Sequence, residues 1–271
     1  HPMLLRRKIL LGGSAAVLAG AGVGAYFVKH PRPAPIGFEV TPDELAQARA
    51  LLARHISVDA HAHPGRTFVD GAENLAGLVW VYAKMGTFEE RTLADMRAGQ
   101  LTAASFAAVS DFQVLGTEGE GLTARRDFAP GEAWASYKRQ IHNLQALATR
   151  GLVHPVKTLA DFAAAKAAGK PGALLTVEGG DFLEGKPERV AEAYADGVRS
   201  ITLMHYRNNE LGDIITGKPV RGKLSAAGIE VVRAMNAAGM LIDVAHASEA
   251  TALSTIAASS KPVMASHIHI H

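Results

Sequence analysis

Cysteine is absent from the 271 residues, which excludes disulfides, thiolate metal sites and cysteine nucleophiles. An excess of one charge is missing too. The 28 Lys and Arg nearly balance 26 Asp and Glu, for a net charge of +2. That leaves no dense basic face, and nucleic acid is not an expected partner. The sequence has no Gly-x-Ser-x-Gly elbow and no phosphate loop, so serine-hydrolase and nucleotide-dependent readings lack support. It has no internal repeat and no low-complexity segment beyond alanine-rich helices. With 48% hydrophobic and 20% charged residues, the composition is that of a globular chain able to bury a substantial core. What it does have is histidine, 12 in all. With no thiolate available, any metal must be held by His and carboxylate.

The N-terminus reads as a targeting segment. Met3 looks like the natural start, with His1-Pro2 as extra residues ahead of it. Arg6-Arg7-Lys8 precedes an uncharged run from Ile9 to Val28. At about 1.5 Å per residue, roughly twenty helical residues cross about 30 Å of hydrocarbon. Residues 1–30 are therefore expected to be a membrane anchor or a cleaved signal, with the basic cluster cytoplasmic and the rest periplasmic or extracellular. The length of the run favours the anchor. Val23-Gly24-Ala25 offers a small-residue cleavage site, and the paired arginines resemble a twin-arginine export signal. Residues 31–41 form a Pro-rich, stiff linker from Pro31 to Pro35. Thr41-Pro42-Asp43-Glu44 then reads as a helix start, with Thr41 as N-cap and Glu44 closing a capping box. The main domain is expected over 42–271.

Beyond residue 40, short apolar runs alternate with amphipathic stretches. The runs are Ile56–Ala60, Ser105–Ser110, Ala173–Val177, Ser200–Met204, Met240–Ala245 and Pro262–Ser266. Between them, Ala226–Ala238 has helical spacing, with Ile229, Val232 and Met235 on one face. Such alternation predicts an α/β fold with a parallel sheet. Read to their carboxyl ends, five runs stop at His61, Glu178, His205, His246 and His267. In a β/α barrel all strand ends converge on one face, where active sites are built; an open sheet gathers only those near its switch point. The expectation is a TIM-like (β/α)8 barrel.

His61-Ala62-His63 puts two imidazoles at alternate positions, which share a face in an extended segment. Glu178 follows Leu174-Leu175-Thr176-Val177, and a carboxylate after such a run is rarely buried without a partner. Gly179-Gly180 behind it lets the backbone turn close to another group. Four imidazoles and one carboxylate suit a pair of Zn²⁺ ions bridged by Glu178. Two ions about 3.5–4 Å apart can hold a bridging hydroxide and polarise a carbonyl.

The stretch from Ile56 to His267 resembles the membrane (renal) dipeptidase family of zinc hydrolases. The matching pieces are Asp59-Ala60-His61-Ala62-His63-Pro64, Met96-Arg97-Ala98-Gly99, Val177-Glu178-Gly179-Gly180, and Leu203-Met204-His205 with Asn208 and Asp213. Leu224-Ser225 with Gly228, Leu241–His246 and Pro262–His267 complete them. The resemblance implies a barrel with a binuclear zinc site that hydrolyses dipeptides by a metal-bridging hydroxide. It implies His61 and His63 on one zinc, Glu178 as bridge, and His246 and His267 on the other. It also implies that His205 is catalytic and binds the substrate carbonyl, with Asn208, Gly179 and Gly180 shaping the substrate site.

Two departures stand out. The family usually has His-x-Asp where this chain has His61-Ala62-His63, which lowers the negative charge of the site by one without removing a ligand. The chain also ends at His271, with about six barrel strands visible, so the family's distal arginine and last catalytic aspartate are not in it. An incomplete barrel exposes two strand edges. Two rival readings follow: a non-catalytic dipeptidase-like accessory subunit of a membrane complex, and a barrel amidohydrolase acting on another amide or lactone. A homo-oligomer is a further expectation. His269 and His271 alternate with His267 and read as a chance His-rich end. Trp80, Tyr82 and Trp134 read as packing before cleft, Arg125-Arg126-Asp127 as a solvated turn, and His55, His142 and His154 have no assigned role.

Overall fold

The computed structural model describes residues 37–268 except 66, 76, 85–88 and 119–120, with the side chains at 77, 78 and 82 also left out. The anchor or signal reading of residues 1–30, most of the linker, His269, His271 and the Tyr82 side chain lie outside the described residues. Among the described residues no helix is long and apolar enough to cross a membrane. Two compact units divide the chain, residues 1–47 and 48–271. In the first, the expected capping box is present: Thr41 N–H donates to Glu44 Oε2 at 2.9 Å, and Glu44 N–H donates to Thr41 Oγ1 at 3.3 Å. It opens helix α1, Pro42–Arg54.

The second unit is built on a parallel sheet. Its strands are β1 (Val58–Asp59), β2 (Ala103–Val109), β5 (His154–Val156), β6 (Gly172–Glu178), β7 (Ser200–Thr202) and β8 (Leu241–Asp243). The order is β1-β2-β6-β7-β8, with β5 alongside the first half of β6. The sheet curls into half of a barrel. Asp243 extends it by a parallel bridge to Met264. A closed eight-stranded ring does not form among the described residues, so the expectation of a TIM-like barrel is met only as a half-barrel. Between β2 and the next helix, β3 (Leu115–Glu118) and β4 (Gly121–Ala124) make a separate antiparallel hairpin.

Alternation along the strands sorts their faces. On β2, Ala104, Phe106 and Ala108 point to the helix layer; on β6, Ala173 and Val177 do. They pack against Leu93 and Met96 of α2 (Glu89–Ala98) and against Tyr137, Ile141 and Leu144 of α3 (Glu132–Thr149). Phe106 and Tyr137 are fully buried, and each large side chain of this kind contributes about 1.5–3 kcal/mol by burial. On the inner face, Thr176 and Glu178 of β6 and Thr202 and Asp243 of its neighbours are small or polar. Gly172 is required where strands crowd: a Cβ there would meet Ala103 Cβ at 2.8 Å and Val156 Cγ2 at 2.9 Å.

The helix α4 spans Ala226–Ala238, as its spacing predicts, between a Ser225 cap that accepts from Gly228 N–H at 2.9 Å and Gly239 at φ 72°. Its buried face is turned slightly from the expected one. Gly228, Val231, Val232 and Met235 are buried, and Ile229 is only partly so. The run Pro262–Ser266 is reduced to the single bridge at Met264, and the first strand keeps only Val58–Asp59 of its run, at the open edge where Ile56 and Val58 stand exposed.

Candidate metal centre

Glu178 is the last residue of β6, and its carboxylate is buried at the mouth of the half-barrel. Five imidazoles reach it with Nε2. On Oε1 they are His61 at 3.2 Å, His246 at 3.2 Å and His267 at 3.4 Å. On Oε2 they are His63 at 3.1 Å and His205 at 3.3 Å. The histidines lie just past β1, β7, β8 and the Met264 bridge, so the carboxyl ends of one curled sheet bring them together. Burial pushes the Glu178 carboxyl up, but the His205 charge and the bonds from His246, His267 and His61 more than offset it, leaving it well below the usual carboxylate range.

The rings are held from behind. His63 Nδ1 meets Ala107 O at 3.1 Å, and His267 Nδ1 meets Ser266 Oγ at 2.8 Å. Ser266 Oγ donates to Asp243 Oδ2 at 2.6 Å, and Thr202 Oγ1 donates to the same oxygen at 2.7 Å. His246 has φ 62°, a left-handed backbone uncommon for a residue other than glycine and the kind of strain that collects at functional sites. Gly179 has φ 92°, and a Cβ on it would stand 3.4 Å from His205 Cβ. On Gly180 a Cβ would stand 2.5 Å from Leu211 Cδ1 and 3.0 Å from Leu203 O. Both glycines let the chain leave β6 against the wall of the site.

The donor set fits divalent metal. Two groups bring their ligand atoms within 4.8 Å of one another: Glu178 with His61 and His267, and Glu178 with His205 and His246. The Nε2 atoms of His246 and His267 are 2.9 Å apart, and those of His61 and His63 are 3.2 Å apart. Lone pairs this close need a proton or a cation between them. Nitrogen and carboxylate oxygen without thiolate suit zinc and related divalent ions. The clustering pairs His61 with His267 and His205 with His246, whereas the family resemblance pairs His61 with His63 and His246 with His267.

His205 differs in its second nitrogen. Its Nδ1 stands 2.6 Å from Asp111 Oδ1, and both residues are buried. Burial pushes the His205 imidazolium down, but the Asp111 charge and hydrogen bond, with Glu178, raise it to about 9. Asp111 was passed over in the sequence, although it follows the run Ser105–Ser110 directly. The strand-end rule that marks His61 and Glu178 marks Asp111 as well. Behind it, Arg207 Nη1 meets Asp181 Oδ1 at 3.0 Å. Burial and the Asp111 charge push the Asp181 carboxyl up to about 7 against the pull of Arg207.

Asn208 spends its amide on its own loop, accepting from Ile214 N–H at 2.8 Å and donating to Lys218 O at 2.8 Å. It shapes the loop beyond His205. Trp134 stacks with Phe182 and Tyr137 in the helix layer, and Trp80 is half exposed. Arg126 pairs with Glu132 at 2.6 Å and Arg125 with Glu118 at 3.6 Å, as expected of a solvated turn. His154 opens β5 and pairs with Gly172 at the start of β6, the opposite end of that strand from Glu178.

A half-barrel of parallel strands with a buried carboxylate ringed by imidazoles defines an α/β protein with a candidate metal centre. The chain belongs to the membrane dipeptidase family, peptidase family M19, whose model matches residues 45–270. Dipeptidase verJ of Clonostachys rogersoniana is 39% identical over 100 residues, covering 36% of this chain and 26% of that protein. Among solved structures, the probable dipeptidase PvdM from Pseudomonas aeruginosa superposes with a TM-score of 0.65 at 21% identity, over 84% of this chain and 56% of that one. A metallopeptidase from Rhodobacter sphaeroides, solved with a phosphinate mimic of the dipeptide L-Ala-D-Ala, has a TM-score of 0.51 at 17% identity, over 63% of this chain and 54% of that one. The match thus spans about a quarter of the length of the curated relative and just over half of the solved chains.

Proposed function

We propose that this chain holds two zinc ions around Glu178 and hydrolyses dipeptides. The observation that carries the reading is the convergence of His61, His63, His205, His246 and His267 on one buried carboxylate in a chain of this family. Bound there, zinc supplies Lewis acidity and lowers the pKa of water toward neutrality. Glu178 would offset the charge of both ions, and His61, His63, His246 and His267 would complete their ligands. His205, oriented by Asp111, donates from Nε2 to the oxygen of the scissile carbonyl as negative charge develops on it. Such a donor is typically worth about 10²–10³ in rate. Water adds to the carbonyl carbon, the carbon–nitrogen bond breaks, and the proton that the water gives up leaves with the amine. Gly179-Gly180 and the Asn208 loop shape the space around the carbonyl.

The reading extends to location. Arg6-Arg7-Lys8 and the uncharged run 9–28 support a membrane-anchored or exported protein with residues 42–271 on the outer side. Cell fractionation of the chain with and without residues 3–30 tests this: the shorter form should leave the membrane fraction. For the activity, the test is amine release from Ala-Ala and Leu-Leu by the zinc-loaded protein. Release that stops with chelator and returns with zinc supports the reading; no release from any dipeptide by protein that carries zinc refutes it.

A further inference from the structure

Beside the cluster lies a cavity of about 430 Å³, within the range of roughly 300–1,000 Å³ common for small-molecule sites. His63 and His205, the two imidazoles on Oε2, line it together with Glu178; the three on Oε1 do not. The rest of its wall is mostly apolar, with Phe68, Val79, Val109, Phe112, Leu115 and Leu122, and Thr117 and Tyr206 add one hydroxyl each. Phe68, Val79, Val109 and Phe112 form a small hydrophobic cluster separate from the main core. Leu115 and Leu122 come from the β3–β4 hairpin, which crosses over as the opposite wall.

Three observations give the cavity a direction. Phe68 packs edge-on against Phe112 at 5.0 Å and against His63 at 5.6 Å, so the aromatic wall is continuous with a candidate ligand of the metal centre. Beyond the cluster itself, no lining residue among the described residues is charged. A charged substrate side chain seated against that wall would lose its water and meet no opposite charge among the described residues there. Leu122 is 44% exposed although it faces the cavity, so an apolar group seated beside it would remove hydrophobic surface from water.

We infer that this cavity is the subsite for a bulky apolar side chain of the substrate, and that the hairpin residue Leu122 sets the preference. The inference rests on the dipeptide reading and narrows it: the favoured substrates carry a leucine- or phenylalanine-sized residue next to the scissile bond, and acidic dipeptides are rejected. Filling the cavity also keeps water from the His205 side of the carbonyl, where a hydrogen bond is stronger in a dry site.

The test is calorimetric binding of phosphinate mimics of Gly-Gly, Leu-Leu and Glu-Glu to the zinc-loaded protein. The Leu-Leu mimic should bind at least about tenfold more tightly than the Gly-Gly mimic, because pocket discrimination of apolar groups is of that order. The Glu-Glu mimic should bind no better than Gly-Gly. Leu122→Asp, a change on a half-exposed hairpin, should erase most of the Leu-Leu advantage. If Leu-Leu and Glu-Glu mimics bind alike in the unaltered protein, the inference is overturned and the dipeptide reading stands. An unchanged Leu-Leu to Gly-Gly ratio in a folded Leu122→Asp protein overturns the role of Leu122. If none of the three binds to protein that carries zinc, the dipeptide reading itself fails and the subsite with it.

Discussion

His205 and Asp111 form a buried dyad, with Nδ1 and Oδ1 2.6 Å apart, while Asp111 Oδ2 accepts the backbone N–H of Tyr206 at 2.9 Å. One carboxylate therefore fixes both the ring and the backbone beside it. The pairing leaves Nε2 of His205 to face Glu178 and the cavity. Partners of this kind set tautomer and ring orientation, and their loss typically costs about 10–100-fold in affinity or activity.

Asp111→Asn is expected to keep the fold and lower kcat by about 10–100-fold, because the amide still accepts one bond but brings no charge. His205→Ala should lose more, about 10²–10³. Both should keep their zinc if His205 acts on the substrate. Steady-state kinetics beside elemental analysis decides this: zinc lost in step with activity would make His205 a ligand.

Glu178→Gln should lose most of the bound zinc while the protein stays folded. The amide is close in shape but cannot balance the charge of two dications, and all five imidazoles meet at this one group. Elemental analysis after dialysis, with circular dichroism to confirm folding, checks it. Full zinc retention would remove Glu178 from the bridging role.

Gly180→Ala should destabilise the domain by about 1–3 kcal/mol, the usual cost of overpacking. Its Cβ would stand 2.5 Å from Leu211 Cδ1 and 3.0 Å from Leu203 O, and the second is backbone that has little room to move. Chemical denaturation measures the difference. A neutral result would mean that the chain behind Glu178 is looser than its packing indicates.

The Arg126–Glu132 pair gives a pH dependence at a distance from the metal cluster. Hydrogen bonding to Arg126 holds the Glu132 carboxyl below its ordinary value, and the Ala129 N–H adds to the pull against a modest burial cost. A depressed carboxylate stabilises the fold at pH values above its unfolded pKa, and the benefit fades as pH falls through the folded one. Glu132→Gln should therefore cost no more than about 1 kcal/mol at pH 7, and the gap between the two proteins should close in acid, below about pH 4. Thermal melts across that range test it.

Much of the site was legible because its residues sit at the carboxyl ends of apolar runs. His61, Glu178, His205, His246 and His267 could all be named without coordinates, and they do converge. Asp111 was equally available by the same rule, but an aspartate after a strand reads as an ordinary turn until a histidine is seen against it. Strand β5 was hidden by its length of three residues and by Pro155, which breaks the apolar pattern. The hairpin of β3 and β4 escaped because Gly116, Thr117 and Glu118 carry no strand signal, and with it went the wall of the cavity. The slight turn of α4 goes with Gly228, which lets the helix approach the chain closely: a Cβ there would stand 2.6 Å from Leu211 O.

The most direct test of the account is anomalous X-ray diffraction at the zinc edge from crystals of the zinc-loaded protein. It predicts two separate peaks on the Glu178 carboxylate, flanked by His61, His63, His246 and His267, with neither requiring His205. A single peak, or none at Glu178, would contradict the binuclear site on which the proposed hydrolysis depends.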